Sequence, residues 1–292
     1  KNINLEFSGE LRNLQKTAIS KFMDSCDLEN NSNNIKYTQK TNGGILALRC
    51  ASGKTVIALN LISKLNKKTL VVVHKEFLVN QWIERIQQFL PDARIGIIKQ
   101  KKVDIKNKDI VIGMLQSIAM REYDPEIFHE FGFGIFDECH HLGAEVFSRV
   151  LPKLGCKYLL GLSATPKRKD GLSKVFKWFI GPTLYSVQTS NFTKVHINQI
   201  KINSDNPEYT KHELTAYGKI CTSRMINNIC NYEKRIDFIV SILKKLVKEG
   251  RHILCLSGRR AQLEQLYNKI IQTNIGTVGY YVGGMKQSEL KK

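Results

Sequence analysis

The segment GILALRCASGKT, residues 44–55, decides the fold class of this 292-residue sequence. Its apolar start, Gly44–Leu48, predicts a buried strand, and Thr55–Leu65 continues with the three-to-four periodicity of a helix. The small residues between them leave backbone amides open to phosphate oxygens at the helix start. Lys54 adds a positive charge, and Thr55 adds a hydroxyl group that suits Mg²⁺. The segment therefore predicts a phosphate-binding loop.

One position of this loop departs from the complete pattern, and a second motif supports the interpretation. Leu48 stands where G-x-x-x-x-G-K-[ST] has its first glycine, and a bare Gly-Lys-Thr also occurs by chance. Asp137-Glu138 end the apolar stretch Phe133–Phe136, at the strand edge where α/β proteins bind ligands. Asp137 suits the Mg²⁺ shell and Glu138 suits polarisation of a water, although an ordinary acidic turn has the same composition. Together the motifs predict P-loop ATPase chemistry.

Short apolar segments rich in β-branched residues alternate with helical patterns in the first part of the chain. Strands are predicted at Gly44–Leu48, Thr69–His74, Arg94–Ile98, Asp109–Gly113, Phe133–Phe136 and Tyr158–Leu162, with covering helices at Thr55–Leu65 and Glu76–Phe89. This alternation is typical of the α/β class, with a parallel sheet and right-handed crossovers.

The pattern changes after Pro182, which we take as the end of a first domain, residues 1–182. Two alternating strands and a long helical stretch, Tyr209–Asn231, predict a connecting segment over residues 183–231. The helix and strand order resumes over residues 232–292, with helices at Ile236–Lys248 and Ala261–Ile271 and strands at His252–Leu256 and Thr277–Val282. Sixty residues are too few to complete a parallel sheet, so we expect a second α/β domain that is truncated.

The composition favours a globular protein with a polyanionic partner. Lys and Arg number 45 against 26 Asp and Glu, a net charge of +19 that favours nucleic acid over an acidic small molecule. Compositional bias is the alternative, since Lys, Asn and Ile are all abundant. Apolar runs fall short of the roughly 18 residues of a membrane span, and the seven cysteines include no Cys-x-x-Cys pair. We expect a soluble protein of a reducing compartment, without a membrane partner.

A zinc site is not expected either. Cys139-His140-His141 invites a metal interpretation, but consecutive histidines project in different directions. The chain offers no second cluster of Cys and His at ligand spacing to match it.

The ordered motifs resemble those of superfamily 2 helicases. Leu11-Arg12-x-x-Gln15 is similar to the adenine-recognition motif, Ser52–Thr55 to motif I, Val71–His74 with Gln81-Trp82 to motif Ia, Gln116-Ser117 to motif Ib, Asp137-Glu138-Cys139-His140 to a DExH motif II, and Ser163-Ala164-Thr165 to motif III. The run LGLSATPKRKDG at 160–171 is especially close to the XPB and UvsW type. Residues 254–260 and 281–284 resemble the opening motifs of that group's second RecA-like domain.

This resemblance implies a RecA-like parallel-sheet domain, the start of a second RecA-like domain, and ATP and Mg²⁺ as cofactors. Adenine contacts are assigned to Arg12 and Gln15, phosphate contacts to Ser52, Gly53, Lys54 and Thr55, Mg²⁺ to Thr55 and Asp137, catalysis to Lys54, Asp137, Glu138 as base and His140, and coupling to the bound strand to His140, Ser163 and Thr165. Candidates for nucleic-acid backbone contacts are His74, Lys75, Gln116, Ser117, Arg168, Ser257, Arg259 and Gly284, each of which also fits a plain surface role.

Two features depart from the family pattern. Ala51 stands where members usually have glycine, and alanine tolerates a positive φ less well. Motifs V and VI have no counterpart in the chain, and in the family they supply nucleotide contacts and arginine fingers, worth about 10³–10⁵ in rate. Hydrolysis is therefore expected of a longer parent protein, with little turnover by these residues alone.

A narrower resemblance concerns the source of the protein. The Asn- and Lys-rich composition, Asp137–Leu142 and residues 224–235 are similar to helicases of large cytoplasmic DNA viruses, of the poxvirus and asfarvirus transcript-release type. This implies a monomeric enzyme of the host cytoplasm or virion. DNA is the preferred track because of the XPB and UvsW resemblance, but an RNA helicase shares every motif. An ATP-independent binding or annealing module also fits the charge.

Overall fold

The computed structural model describes residues 1–26, 41–49, 51–139, 149–164, 177–187 and 196–285. The chain divides into two compact units, Lys1–Phe192 and Thr193–Lys292. This division falls inside the segment 183–231 that the sequence predicts as a connection. In the described residues, no helix is long and apolar enough to cross a membrane.

The first unit is built on one eight-stranded sheet. Its strands are β1 (Gly43–Ala47), β2 (Thr69–Val73), β3 (Ile95–Lys99), β4 (Lys102–Asp104), β5 (Ile110–Met114), β6 (Phe133–Phe136), β7 (Tyr158–Ser163) and β8 (Thr183–Ser186). They follow the order β4-β3-β5-β2-β6-β7-β1-β8. Every neighbouring pair is parallel except β3 with β4. The sequence therefore predicted the α/β class and all six central strands correctly, within one or two residues at their ends.

Of the two strands at the edges of the sheet, β4 was not predicted, whereas β8 corresponds to the first of the two alternating strands predicted after Pro182. β4 forms a short antiparallel hairpin with β3, and β8 pairs with β1 beyond the predicted domain end at Pro182. β4 is mostly exposed and β8 is half-buried, so neither has the apolar run that marks a buried strand.

Helices cover the sheet on both sides. In the first unit they are α1 (Asn13–Asp24), α2 (Lys54–Leu65), α3 (Glu76–Phe89), α4 (Leu115–Met120) and α5 (Glu126–His129), with a 3₁₀ turn at Leu151–Lys153. Val71 and Val73 pack in one apolar cluster with α1, α2 and α3, whereas Leu70 and Val72 pack in another with α4. Because alternate strand residues point to opposite faces, the two clusters lie on opposite sides of the sheet.

The second unit is helical in the residues described. Its helices are α6 (Pro207–Thr210), α7 (Thr222–Asn231), α8 (Glu233–Lys248) and α9 (Arg260–Gln272). The predicted continuous helix over Tyr209–Asn231 is wrong, because residues 211–221 interrupt it with a turn closed by a bridge between Leu214 and Ile220. Ile236, Val240 and Leu266 form a small core between α8 and α9.

The strands predicted at His252–Leu256 and Thr277–Val282 are not formed. Leu254 and Leu256 are 82% and 81% exposed. A parallel strand is stable only when neighbouring strands accept its backbone hydrogen bonds and both of its faces are covered. Residues 251–258 have an apolar strand pattern, but no strand in the described part of the chain pairs with them.

An ion pair between the exposed Arg94 side chain and the buried Asp109 carboxylate lies at the start of two neighbouring strands, β3 and β5. Arg94 donates from Nε to Asp109 Oδ2 at 2.9 Å and from Nη2 to Oδ1 at 2.7 Å. This hydrogen bond holds the pKa of Asp109 below its ordinary value, against the opposing effect of burial.

We expect Asp109→Asn to lower the free energy of unfolding at pH 7 by about 1–2 kcal/mol, less than the roughly 1.5–3 kcal/mol of a buried hydrogen bond to a charged group because the Arg94 side chain is exposed to solvent. Because the pKa is lower in the folded state, this stabilisation is present above the unfolded value of about 3.9. It is lost as the pH falls through the folded pKa. Urea unfolding at pH 7 and pH 3 tests this, with the exposed Asp92→Asn as control. Equal losses at both pH values would contradict it.

Candidate nucleotide site

Three adjacent strands bring the predicted nucleotide motifs to one edge of the sheet. β7 lies between β6 and β1, and Ser163 at its carboxyl end is opposite Ala47 of β1. Leu48 donates its backbone N–H to the Ser163 carbonyl at 2.8 Å. The loop after β1 and Asp137 after β6 therefore flank Ser163, at the carboxyl edge where α/β folds bind ligands.

The loop after β1 has the backbone of a phosphate-binding turn. Ser52 donates from its backbone N–H and from Oγ to the Arg49 carbonyl, at 3.3 and 2.7 Å. Ala51 has φ +63° and Gly53 has φ +80°, both left-handed. Two left-handed residues in a short loop turn the chain sharply into α2, whose first amides then face the loop.

Ala51 adopts the conformation that glycine would take at the position where the resemblance expects one. A non-glycine residue in this region costs about 1 kcal/mol. We expect Ala51→Gly to raise the free energy of unfolding by up to about 1 kcal/mol without weakening nucleotide binding. Urea unfolding with a matched Ala58→Gly control, inside α2, checks this: the control should destabilise by about 1 kcal/mol. A loss of stability in Ala51→Gly would contradict the prediction.

Gln15 connects α1 to the phosphate-binding loop. Its Oε1 accepts from the Arg12 backbone N–H at 2.8 Å, and its Nε2 donates to the Ser52 carbonyl at 3.3 Å. A Cβ on Gly53 would lie 2.2 Å from Gln15 Nε2, so glycine is required at this contact as well as by φ. Gln15 is buried and both ends of its amide are engaged by the protein, whereas the Arg12 side chain is exposed. An incoming adenine can therefore contact the exposed Arg12 side chain directly, whereas the Gln15 amide is already hydrogen-bonded within the protein.

Lys54 and Glu138 form the central ion pair of the site. Lys54 Nζ lies 2.6 Å from Glu138 Oε1, and the two side chains are only 10% and 23% exposed. Glu138 has φ +48°, an unfavourable conformation for a non-glycine residue that is typical of functional sites. The predicted phosphate-binding cation and the predicted base are therefore in direct contact.

Asp137, beside this pair, is held by neighbouring elements on two sides. Its backbone N–H donates to the Val72 carbonyl of β2 at 3.1 Å, and its Oδ2 accepts from Trp82 Nε1 of α3 at 2.8 Å. Burial raises the pKa of Asp137, with a smaller upward contribution from Glu138 and opposing contributions from Trp82 and Lys54. A cation at this carboxylate would offset the cost of burying its charge.

The buried Cys139 thiol next to these carboxylates is unreactive. Burial raises the pKa of Cys139 to about 12, and the charges of Glu138 and Asp137 contribute in the same direction. Cys139 is therefore a neutral thiol, which is a poor metal ligand and nucleophile.

These residues fit a magnesium nucleotide. The left-handed residues Ala51 and Gly53 turn the loop into α2, so that the first amides of this helix face the loop. Lys54 supplies a cation beside it, and Asp137 supplies a hard oxygen ligand of the kind Mg²⁺ takes. Thr55, half-buried in the first turn of α2, adds a hydroxyl group.

The nucleic-acid candidates of the first unit lie along the same edge, after β2 and β5. Gln116 donates from Nε2 to the His74 carbonyl at 3.3 Å, and Lys75 is exposed, with its Nζ 6.0 Å from the centre of the Phe77 ring. Ser117 is buried, and its Oγ accepts from the Gln100 backbone N–H at 2.9 Å. The structure therefore brings His74, Lys75 and Gln116 together at the surface and places Ser117 below them.

The second unit carries three further candidates. Ser257 Oγ donates to Gln262 Oε1 at 2.6 Å and accepts from the Arg259 backbone N–H at 3.0 Å, so it shapes the start of α9. Gly284 has φ +90° in an exposed turn. The remaining predicted residues, His140, Thr165 and Arg168, lie outside the described residues.

Trp82 is a further residue of the candidate site, and the sequence did not single it out. The motif resemblance included it, but no role was assigned to its side chain. A signal was present, because a tryptophan on the apolar face of an amphipathic helix needs a buried acceptor for its N–H.

Comparison with known proteins shows the family to which the chain belongs. Residues 8–168, a little over half of the chain, match the family described as "Type III restriction enzyme, res subunit". The chain is 39% identical to "Putative ATP-dependent RNA helicase L396" of Acanthamoeba polyphaga mimivirus over 262 residues, which are 88% of this chain and 50% of that protein. It is 33% identical to "DNA 3'-5' translocase XPB2" of Sulfurisphaera tokodaii over 183 residues, 63% of this chain and 40% of that protein.

The fold agrees with a solved helicase. The crystal structure of the UvsW helicase from bacteriophage T4 matches with a TM-score of 0.50 and 20% identity, over 63% of this chain and 64% of that one. The chain spans about half the length of the curated relatives it matches. Its RecA-like sheet, its ordered motifs and the family match together show that it belongs to the type III restriction enzyme res subunit family, among the superfamily 2 helicases of the XPB and UvsW type.

Proposed function

We propose that the chain is the ATP-binding part of an ATP-dependent translocase or helicase that moves along a nucleic acid, with DNA as its preferred track. The observation that carries the proposal is the contact between Lys54 and Glu138, beside buried Asp137, at one strand edge. A cation, a base and a metal-binding carboxylate around a phosphate-binding loop are the parts that phosphoryl transfer to water requires.

The ion pair suggests how nucleotide binding prepares the site. An incoming phosphate competes for Lys54 Nζ, which is paired with Glu138 before the nucleotide arrives. As Lys54 turns to the phosphate, Glu138 is released to accept a hydrogen bond from the attacking water. Asp137 holds the ion that, when bound, neutralises charge on the phosphate oxygens.

We infer that Ser163 helps to transmit the nucleotide state. Its carbonyl accepts from Leu48, immediately before the phosphate-binding loop, and its strand β7 separates that loop from Asp137. A shift of the loop on binding or hydrolysis therefore reaches the segment after β7, where the resemblance places the coupling motif.

We further propose that these 292 residues are part of a longer enzyme and turn over slowly by themselves. Support comes from the relatives, of which the chain covers about half, and from the absence of recognisable motifs V and VI in its sequence. An arginine finger from such a segment contributes about 10³–10⁵ in rate. Robust ATP turnover by residues 1–292 alone would overturn this.

The proposal also states which nucleic acid the protein moves along, DNA or RNA. The XPB and UvsW resemblance favours DNA, whereas the mimivirus relative carries the name of an RNA helicase. ATPase assays of the longer protein with single- and double-stranded DNA and RNA in parallel separate the two. We expect the largest stimulation from DNA, and its loss in Lys54→Ala. An ATPase rate that no nucleic acid changes would refute the translocase.

An annealing module is the second candidate, favoured by the net charge of +19. It predicts strand annealing without ATP that Glu138→Gln leaves unchanged. The translocase predicts that Glu138→Gln abolishes all ATP-dependent strand movement. Measuring both activities in the same variant decides between the two.

Lys75 tests the proposed nucleic-acid edge. We expect Lys75→Ala to weaken binding about equally for all sequences and to reduce the slope of log affinity against log salt by about 1, the effect of one lost phosphate contact. Fluorescence anisotropy with labelled DNA across a salt series measures this. Lys16→Ala, an exposed lysine of α1, is the matched control; an equal change in both variants would contradict the assignment.

A further inference from the structure

Trp82 makes a contact with the nucleotide site that its place in the chain does not suggest. It lies on α3, 55 residues before Asp137, and is 1% exposed. Its Nε1 donates to Asp137 Oδ2 at 2.8 Å, and Asp137 is itself 6% exposed. Both groups are therefore removed from water and each satisfies the other.

The strand order explains why this contact forms. β6 lies beside β2, and α3 begins three residues after β2 ends. Asp137 is thus held by β2 through its backbone and by the helix that follows β2 through its side chain. The hydrogen bond to Trp82 limits the orientations of a carboxylate that would otherwise rotate about its side-chain bonds.

Packing alone does not require a tryptophan here. Phenylalanine has the apolar ring that the cluster around Leu78, Val79 and Ile86 needs, without a donor that must be satisfied. The group that distinguishes tryptophan at this position is its N–H, and that group is directed at the predicted metal ligand.

We propose that Trp82 is a positioning residue, which orients the Asp137 carboxylate for the magnesium ion of the bound nucleotide. The inference rests on the proposed function, because it takes the site to bind a magnesium nucleotide. Partners of this kind, which hydrogen-bond a metal-ligating carboxylate, typically contribute about 10- to 100-fold in metal affinity or activity.

The first test compares Trp82→Phe with Trp178→Phe in the full chain. Trp178 is 77% exposed, so the same substitution there serves as the matched control. Calorimetry gives the ADP affinity with and without Mg²⁺. We expect Trp82→Phe to reduce the Mg²⁺-dependent gain in affinity about 10-fold and to leave Mg²⁺-free binding within about twofold, because only the orientation of Asp137 is altered. Trp178→Phe should match the unmodified chain.

A double-mutant cycle separates positioning from a structural effect. If Trp82 acts through Asp137, then Trp82→Phe should have no further effect on Mg²⁺ dependence once Asp137 is replaced by alanine. Additive losses in the double variant would show that Trp82 acts elsewhere, and would overturn the proposal.

A spectroscopic measurement covers the case in which Trp82→Phe fails to fold. In the Trp178→Phe protein, Trp82 is the one remaining tryptophan of the two in the sequence, so its indole N–H gives a single assignable NMR signal. We expect this signal to shift when ADP and Mg²⁺ are added together, and much less with ADP alone. A signal that saturating ADP and Mg²⁺ leave unmoved would refute the proposal.

Failure of the proposed function and failure of the proposed role of Trp82 give different experimental results. A folded, unmodified chain that binds neither ADP nor ATP refutes the proposed function. A chain that binds with normal Mg²⁺ dependence, and keeps that dependence in folded Trp82→Phe, refutes only the role of Trp82.

Discussion

Replacing Lys54 by alanine is expected to weaken ADP and ATP binding by the chain at least about 100-fold, which corresponds to roughly 3 kcal/mol. Removing one member of a desolvated charge pair costs about 2–5 kcal/mol, much of it from the partner left unpaired. Here that partner is Glu138, 2.6 Å away, whose carboxylate would then face the phosphates without a neutralising cation. Isothermal titration with ADP and Mg²⁺ measures the effect.

The control for this prediction lies on the same helix. Lys64 is exposed in the last turn of α2, so Lys64→Ala removes an equal charge from the far end. It should bind nucleotide as the unmodified chain does. All the predicted nucleotide contacts precede Pro182, so we expect weak binding by residues 1–292 alone. No heat or thermal shift at millimolar ADP in a folded sample would contradict a preformed site.

Glu138→Gln is expected to lower ATP hydrolysis by the longer protein about 10³-fold while nucleotide binding is retained or tightened. The rate falls because an amide cannot accept the proton of the attacking water, and general base catalysis contributes about 10²–10⁴. Binding is retained because the amide no longer holds Lys54 in an ion pair, so the phosphate meets less competition. Single-turnover hydrolysis and calorimetry on the same preparation measure the two effects separately.

This pair of outcomes distinguishes a base from a structural carboxylate. A structural role for Glu138 predicts that binding and hydrolysis fall together. The exposed Glu84→Gln on α3 controls for the loss of one negative charge and should change neither. Hydrolysis by Glu138→Gln at the unmodified rate would remove Glu138 from the mechanism.

The central part of the fold was predictable because its signals are local. Each central strand has a short, β-branched apolar run, and the alternation with helices leaves a parallel sheet as the simplest solution. Segments whose state depends on distant partners were predicted less well. Residues 251–258 have the composition of a strand, but none of the described residues forms a strand beside them, and Leu254 remains exposed.

The sequence by itself determined the chemistry of the candidate site. Residue types and spacing predicted a phosphate-binding loop at Lys54 and metal- and water-binding carboxylates at Asp137 and Glu138, because a loop after a strand carries its candidate groups in a few consecutive residues. The sequence also specified that these residues follow strands, which places them at the carboxyl edge of a parallel sheet.

Only the tertiary structure decided which of these groups touch. Lys54 meets Glu138 across 84 residues, Trp82 meets Asp137 across 55, and Gln15 meets Ser52 across 37. These long-range contacts depend on the order of the strands. β7 lies between β1 and β6, and β2 lies on the other side of β6. Strand order results from the packing of all the crossover helices at once, which no local pattern encodes. The sequence therefore specified the candidate groups, and the fold determined their contacts.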